Sequence, residues 1–352
     1  MPRLAPSLLR RAKAISPHLA TLLPACRDLS SARNELRWIR EHVGKIAPLR
    51  PHGPGTKLVS LTNAERQEDL LDEICGKRGH GVPLQYLLGT QPFGDLEIRC
   101  RPGVLIPRPE TEAWVVKLAE VVRGYERKDG GERLRILDLC TGSGCIALLL
   151  NLLLRRRFPG LSVRGVDIEP KAIALARENL ADATGLASLP KSEHDVTFEK
   201  ADIFSKEWLE SVDEVDILVS NPPYISAKGF NHDTGRSVCR YEPKLALVPN
   251  PSADQVLSMK CQPEDVFYAR ILDIAKTLRS RATILEVGDL AQGLRVVQMA
   301  RSRWNDAEIE LWRDWPEMEP QDDEKQSIEI DGVKVPLKGS GHGRAVFIRR
   351  TA

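Results

Sequence analysis

At 352 residues the chain is longer than a single hydrophobic core usually sustains, so two folding units are expected. Its 42% hydrophobic and 28% charged residues suit a globular enzyme, and no run of roughly 18 apolar residues offers a membrane span. A formal net charge of only +2 excludes the strong basic excess that accompanies wholesale binding to nucleic-acid backbones. Seven cysteines, an odd number scattered through the chain, do not read as a disulfide framework and point to a reducing compartment.

In chain order, residues 1–25 carry Arg3, Arg10, Arg11 and Lys13 among Leu, Ala, Ser and Pro, with no acid before Asp28. That composition predicts a mitochondrial transit segment and a matrix location. Residues 26–90 form a small helical unit: Leu36, Ile39, Val43 and later Leu70, Leu71, Ile74 recur at helical spacing, broken by a Pro/Gly-rich loop over 48–55. Over 91–110 the pattern shortens to alternation at Leu96 and Ile98, a turn at Pro102-Gly103, then Val104 and Ile106, which predicts a β-hairpin connector. Thr111 is placed to cap the next helix, which Gly124 limits.

From 111 to 352 strand and helix signals alternate. Strands over 135–139, 162–166, 196–201 and 215–219 each run into polar or acidic residues, and helical stretches at 170–180 and 265–278 separate strands. This predicts an α/β fold, a doubly wound, mostly parallel, seven-stranded sheet of Rossmann-like type, with ligands beyond the carboxyl ends of its strands. A fifth strand at 281–287 and a closing hairpin of 307–312 with 345–349 complete it, leaving the acidic stretch 317–325 as a loop.

Two constellations carry chemistry. Asp138-Leu139-Cys140-Thr141-Gly142-Ser143-Gly144-Cys145 joins the first of these strands to a helix, and its glycines let the backbone turn and approach a ligand. The absence of Gly-Lys-Ser/Thr argues against a phosphate-cradling P-loop. Asp167 ends the next strand, where an acid takes ribose hydroxyls, and Asp202 follows the third. A dinucleotide fold uses the same layout; Ala147 stands at its third glycine, which tips the balance only slightly. Asp138 is equally placed to cap the following turn, and Cys140 and Cys145 read as small core or loop residues rather than metal ligands.

The second constellation, Ser220-Asn221-Pro222-Pro223-Tyr224, follows strand four. Two prolines stiffen the backbone and remove two N–H donors, so local carbonyls stay free to accept. The Asn221 oxygen and the Pro222 carbonyl suit the two protons of a planar NH2, with Tyr224 available to stack on it. An amide nitrogen is a poor nucleophile, and fixing both protons would aim it at an activated methyl carbon.

At these residues the chain resembles the HemK/PrmC family of release-factor glutamine methyltransferases. The resemblance runs from about Leu70 to the end. Its most specific parts are Gly81-Val82-Pro83-Leu84-Gln85-Tyr86-Leu87-Leu88-Gly89, Val104-Leu105-Ile106-Pro107-Arg108-Pro109-Glu110-Thr111-Glu112 and Asn221-Pro222-Pro223-Tyr224-Ile225, with further matches at Tyr241-Glu242-Pro243-Lys244-Leu245-Ala246-Leu247 and Leu285-Glu286-Val287-Gly288. It implies S-adenosylmethionine as cofactor, contacted by Thr141, Gly142, Ser143, Gly144 and Asp167, with Asp138 in the same loop and Asp202 and Ile203 beside the adenine. It implies that Asn221, Pro222, Pro223 and Tyr224 hold the glutamine amide of a Gly-Gly-Gln motif. The partner expected is a peptide chain release factor docked by the helical unit, with the enzyme a monomer and neither nucleic acid nor membrane bound. Glu35-Leu36-Arg37-Trp38-Ile39 resembles fungal mitochondrial members. The chain departs from the family at 246–250, which replace a glycine-rich stretch, and at 251–263, which look inserted. An adenine-N6 methyltransferase of DNA or RNA, whose flipped-out base presents a similar NH2, is the alternative.

Overall fold

The computed structural model describes residues 4–49, 62–125, 133–185 and 196–350. These fall into two compact units, Met1–Thr90 with Gly235–Tyr241, and Gln91–Thr234 with Glu242–Ala352. Among the described residues no helix is long and apolar enough to cross a membrane.

The smaller unit is helical, built from Pro6–Ile15, Pro17–Cys26, Leu29–Ile46, Asn63–Gly79 and the short Leu84–Leu88 and Arg236–Tyr241. Its starts are written locally: proline opens the first two helices, Asp28 accepts from Ser31 N at 2.8 Å, and Thr62 with Glu65 makes a capping box. The periodic Leu36, Ile39, Val43, Leu70, Leu71 and Ile74 are all buried in one core. Ala12, Leu19, Leu22 and Leu23 are buried in that same core. The boundary expected at residue 25 therefore cuts through packed structure, and the helical unit begins at Pro6. Of the loop expected over 48–55, residues 50–55 lie outside the described residues, while Ala47–Leu49 is a 3-10 turn.

The larger unit opens with a hairpin of β1 (Thr90–Phe93) and β2 (Leu96–Arg99). The expected connector is thus shifted: its turn is at Gly94 and its second strand ends at Arg99, whereas 104–108 form no strand. Pro102, Pro107 and Pro109 explain this, since each lacks the N–H a ladder needs. The helix Pro109–Arg123 then starts on proline, with Thr111 inside its first turn rather than at the cap.

Its remaining strands are β3 (Arg133–Leu139), β4 (Gly160–Asp167), β5 (Val196–Lys200), β6 (Ile217–Ser220), β7 (Ala282–Glu286), β8 (Ala307–Trp315), β9 (Ser327–Ile330), β10 (Val333–Lys338) and β11 (Ser340–Arg350). They form one sheet in the order β5-β4-β3-β6-β7-β11-β8-β10-β9. The first five are parallel, while β11 runs antiparallel to both β7 and β8. The antiparallel strand is therefore internal rather than an edge, and the seven strands expected are extended by the β9–β10 pair. Both faces are covered: Ile136, Ile217, Val219 and Ile284 face one core, while Leu137, Leu218 and Leu285 face the other. That period-2 split across strands buried on both sides is what a doubly wound sheet requires. The reversal of strand order lies between β3 and β6, whose carboxyl ends meet side by side at Leu139 and Ser220.

Candidate active site

The glycine loop is held from below and from both sides. Gly144 has φ +80, and an added Cβ there would lie 2.7 Å from the Phe198 ring and 3.0 Å from Ala176. Gly142 has φ +56 with open space where a side chain would go. One glycine is thus demanded by packing and the other leaves backbone bare toward the cleft. Beneath the loop, Thr141 Oγ1 donates to Asp138 at 2.6 Å. Beside it, the Gly142 N–H donates to Asp167 Oδ2 at 2.9 Å and the Glu169 N–H to Oδ1 at 2.9 Å. Asn179, buried on the helix Pro170–Gly185, donates to the Ser143 carbonyl at 2.9 Å and accepts the Arg99 N–H at 2.8 Å. Sequence reasoning missed Asn179, whose side chain ties the β2 end of the hairpin to the loop.

A cleft of about 330 Å³ opens above the sheet's carboxyl ends. Thr141, Gly142, Ser143 and Asp167 line it, as do Asp202, Ile203, Asn221 and Pro223. The two constellations therefore share one space. Asp138, Gly144, Pro222 and Tyr224 are not part of its wall. For Asp138 this corrects the expectation of a cofactor contact: it is fully buried and works behind the loop.

Burial, reinforced by the Asp167 charge, pushes the Asp138 carboxyl up to about 7, and its Oδ1 has no hydrogen-bond partner. Its folded-state value lies above its unfolded one, so its contribution to stability is complete below the ordinary carboxylate range and is lost as pH rises through about 7. An Asp138→Asn variant cannot ionise. Its melting temperature relative to the native chain is expected to climb by several degrees between about pH 4 and pH 8; a difference that is flat with pH would show that Asp138 is not the group titrating.

Sequence reasoning also missed most of the apolar wall. Val104, Leu105, Ile106 and Pro107 line the cleft, although they belong to the stretch expected as a connector. Glu242 holds them there, accepting from the Ile106 N–H at 3.2 Å and from Arg108 Nη2 at 2.7 Å. Arg108 thus locks two motif strings of the same unit together. On the far side Phe204 and Phe267 meet edge to face at 5.2 Å and both line the cleft. Arg270 Nε fixes the Ile203 carbonyl at 2.7 Å, and the Phe204 N–H donates to Asp202 Oδ1 at 2.9 Å. This aromatic and aliphatic surface, with carboxylates at one end, is matched to a nucleoside.

The Asn-Pro-Pro-Tyr loop is equally fixed. Ser220 Oγ donates to the Leu139 carbonyl at 2.6 Å, tying the ends of β6 and β3. The Tyr224 and Ile225 N–H groups donate to the Leu247 carbonyl at 3.2 and 2.8 Å, and Gln292 Nε2 donates to the Tyr224 carbonyl at 3.2 Å. Tyr224 points its hydroxyl at Glu286, 3.4 Å away, with its ring against Gly288. Burial and the charge of Glu286 hold the phenol well above its ordinary value, so Tyr224 stays protonated. Glu286 itself is fully buried, and that burial raises its carboxyl above the usual range.

A doubly wound sheet that brings a bare glycine loop and a carboxylate to one cleft lined by aliphatic and aromatic side chains is the frame of an S-adenosylmethionine-dependent methyltransferase. Residues 131–311 match a family described as a methyltransferase domain. The chain is 36% identical over 248 residues to the mitochondrial MRF1 N(5)-glutamine methyltransferase MTQ1 of Saccharomyces cerevisiae, covering 70% of this chain and 68% of that one. It is 38% identical over 238 residues to a probable MRF1 mitochondrial N(5)-glutamine methyltransferase of Schizosaccharomyces pombe, covering 66% and 69%. A release factor glutamine methyltransferase of Bacillus cereus is 32% identical over 249 residues, covering 70% and 77%. The chain belongs to the release factor glutamine methyltransferase family.

Proposed function

We propose that this chain methylates the side-chain amide nitrogen of the glutamine in the Gly-Gly-Gln motif of a mitochondrial release factor, in the matrix, and so supports translation termination. The observation that carries this reading is that Asn221 faces the same cleft as Gly142 and Asp167, so a planar nitrogen at one end meets a cofactor held at the other. Thr141, Gly142, Ser143 and Gly144 form the cradle, Asp167 takes the ribose hydroxyls, and Asp202 with Ile203 flanks the adenine. When bound, S-adenosylmethionine supplies a methyl carbon made electrophilic by its sulfonium.

Asn221 Oδ1 accepts one amide proton from the cleft wall, and the Pro222 carbonyl, which must turn to the cleft from between the lining residues Asn221 and Pro223, accepts the other; with Pro223 and Tyr224 fixing the loop, the nitrogen lone pair is aimed and no base is needed before transfer. With the cofactor bound, its methyl carbon would be the electrophile for the nitrogen that Asn221 aims, and the amide proton released on transfer would pass to water. The helical unit docks the release factor. The basic composition before Asp28 and the mitochondrial relatives support the matrix location.

Incubating the full chain with methyl-labelled cofactor and the mitochondrial release factor is expected to add one methyl group, found by mass spectrometry on the glutamine of the Gly-Gly-Gln peptide. Label appearing in DNA or RNA adenine, with none in the release factor, would replace this reading with the nucleic-acid one.

A further inference from the structure

We infer that Thr111 and Glu286 set the polarity of the Asn221 carboxamide, turning its oxygen to the cleft, and thereby make the site select a side-chain amide over a carboxylate. The inference rests on the function proposed above and adds the device by which that function discriminates. The two ends of a carboxamide have nearly the same shape, so the hydrogen bonding behind it decides which end faces a ligand. Beside Asn221, at the inner edge of the same cleft, stands Thr111, whose Oγ1 accepts from Asn221 Nδ2 at 3.4 Å. That is a long bond, of the kind that tightens when a site fills.

A threonine hydroxyl has one proton, and here Thr111 gives it to Glu286 Oε2 at 2.6 Å. Toward Asn221 it therefore shows only a lone pair, and a lone pair selects the NH2 end of the amide. This holds as long as Glu286 is an acceptor, and its surroundings keep it one. Trp114 Nε1 donates to the same oxygen at 2.8 Å and Tyr224 Oη to the other at 3.4 Å. Thr111 and Trp114 lie three residues apart on the helix Pro109–Arg123 and so share a face. Every side chain bonded to the carboxylate is thus a donor; burial raises the Glu286 carboxyl, and the bonds from Thr111 and Trp114 with the Arg344 charge work against that rise. With the nitrogen pinned to Thr111, Oδ1 is the end left for the cleft that Asn221 lines. A substrate amide offers that oxygen a donor. A substrate carboxylate offers only oxygen against oxygen.

Thr111 and Glu286 act through Asn221 and are positioning residues. The test uses the full chain with two proteins: the release factor as substrate, and the same release factor with the motif glutamine changed to glutamate as competitor. The native enzyme is expected to bind the glutamate form at least about tenfold more weakly than the glutamine form, because unpaired polar groups are rejected strongly. In Thr111→Val, which keeps the shape and removes the hydroxyl, the gap is expected to shrink toward parity and kcat to fall about tenfold or more. Cofactor affinity by calorimetry should stay near native, the melting temperature should fall by several degrees as the bond to buried Glu286 is lost, and Thr111→Ser should restore both the gap and the stability. Glu286→Gln, which can donate to Thr111 and release its proton toward Asn221, should shrink the gap in the same direction. An active native enzyme whose preference is unchanged in both variants would overturn the inference alone, whereas a native enzyme idle on the release factor would overturn the function beneath it.

Discussion

Replacing Asn221 with alanine is expected to lower kcat for methyl transfer by about a hundredfold or more, with cofactor affinity within about twofold of native. Asn221 follows β6, on a separate loop from the glycine loop after the neighbouring β3, so its loss removes no group from the cradle. What it removes is one of the two acceptors proposed to fix the amide protons. The reacting nitrogen then keeps a resonance-delocalised lone pair and loses its aim, and a misplacement of about 1 Å is enough to cost a hundredfold. Because Asn221 Nδ2 reaches back to Thr111 at 3.4 Å, the truncation also frees that hydroxyl, but the loop keeps its anchors at Leu247 and Gln292. Saturation kinetics with calorimetry on the same preparation would check this. A variant that transfers methyl at the native rate would end the assignment of Asn221 as the amide clamp.

The sheet could be read from the sequence because β6 and β7 are buried throughout and β3 from Ile136 onward, and each carries a short apolar core, Ile136-Leu137, Ile217-Leu218-Val219 and Ile284-Leu285, that stops at a polar residue. The two motif loops were legible for the same reason: glycine and proline act on the backbone of their own segment. What escaped was anything depending on partners distant in the chain. The 104–108 stretch reads as alternating strand, and only Glu242, 136 residues after Ile106, makes it a wall of the cleft. Thr111 looks like a cap until the 2.6 Å bond to Glu286, 175 residues away, is seen. The β9–β10 hairpin is a different case. Asp331 and Gly332 both take positive φ, +50 and +75, as a type I′ turn requires, and Asp-Gly between the alternating Ile328, Ile330, Val333 and Val335 was a local signal left unused. The first 25 residues show composition and packing at odds: a basic leader signature coexists with Leu19, Leu22 and Leu23 at helical spacing, and these lie in the core of the helical unit.

Changing Asp167 to alanine is expected to do the reverse of Asn221→Ala: weaken S-adenosylmethionine binding by about a hundredfold, with kcat at saturating cofactor near native. Each Asp167 oxygen already accepts one backbone N–H, from Gly142 and from Glu169 at 2.9 Å. A carboxylate has about four lone-pair sites, so each oxygen keeps one for a ribose hydroxyl. Bonds of this kind to a charged group are worth about 1.5–3 kcal/mol each, and losing two of them corresponds to a hundredfold or more. The backbone bonds add to the cost, since without them the Gly142 N–H loses its partner and the loop its fixed height. Burial raises the Asp167 carboxyl above the usual carboxylate range, so protonation begins at a higher pH than for an exposed aspartate and cofactor affinity should fall earlier on acidification. Asp167→Asn, which keeps an acceptor without the charge and cannot titrate, should bind between the two and lack that acid limb. Calorimetric titration across pH would check both expectations, and an Asp167→Ala variant that binds the cofactor at native strength would mean the ribose is held elsewhere in the cleft.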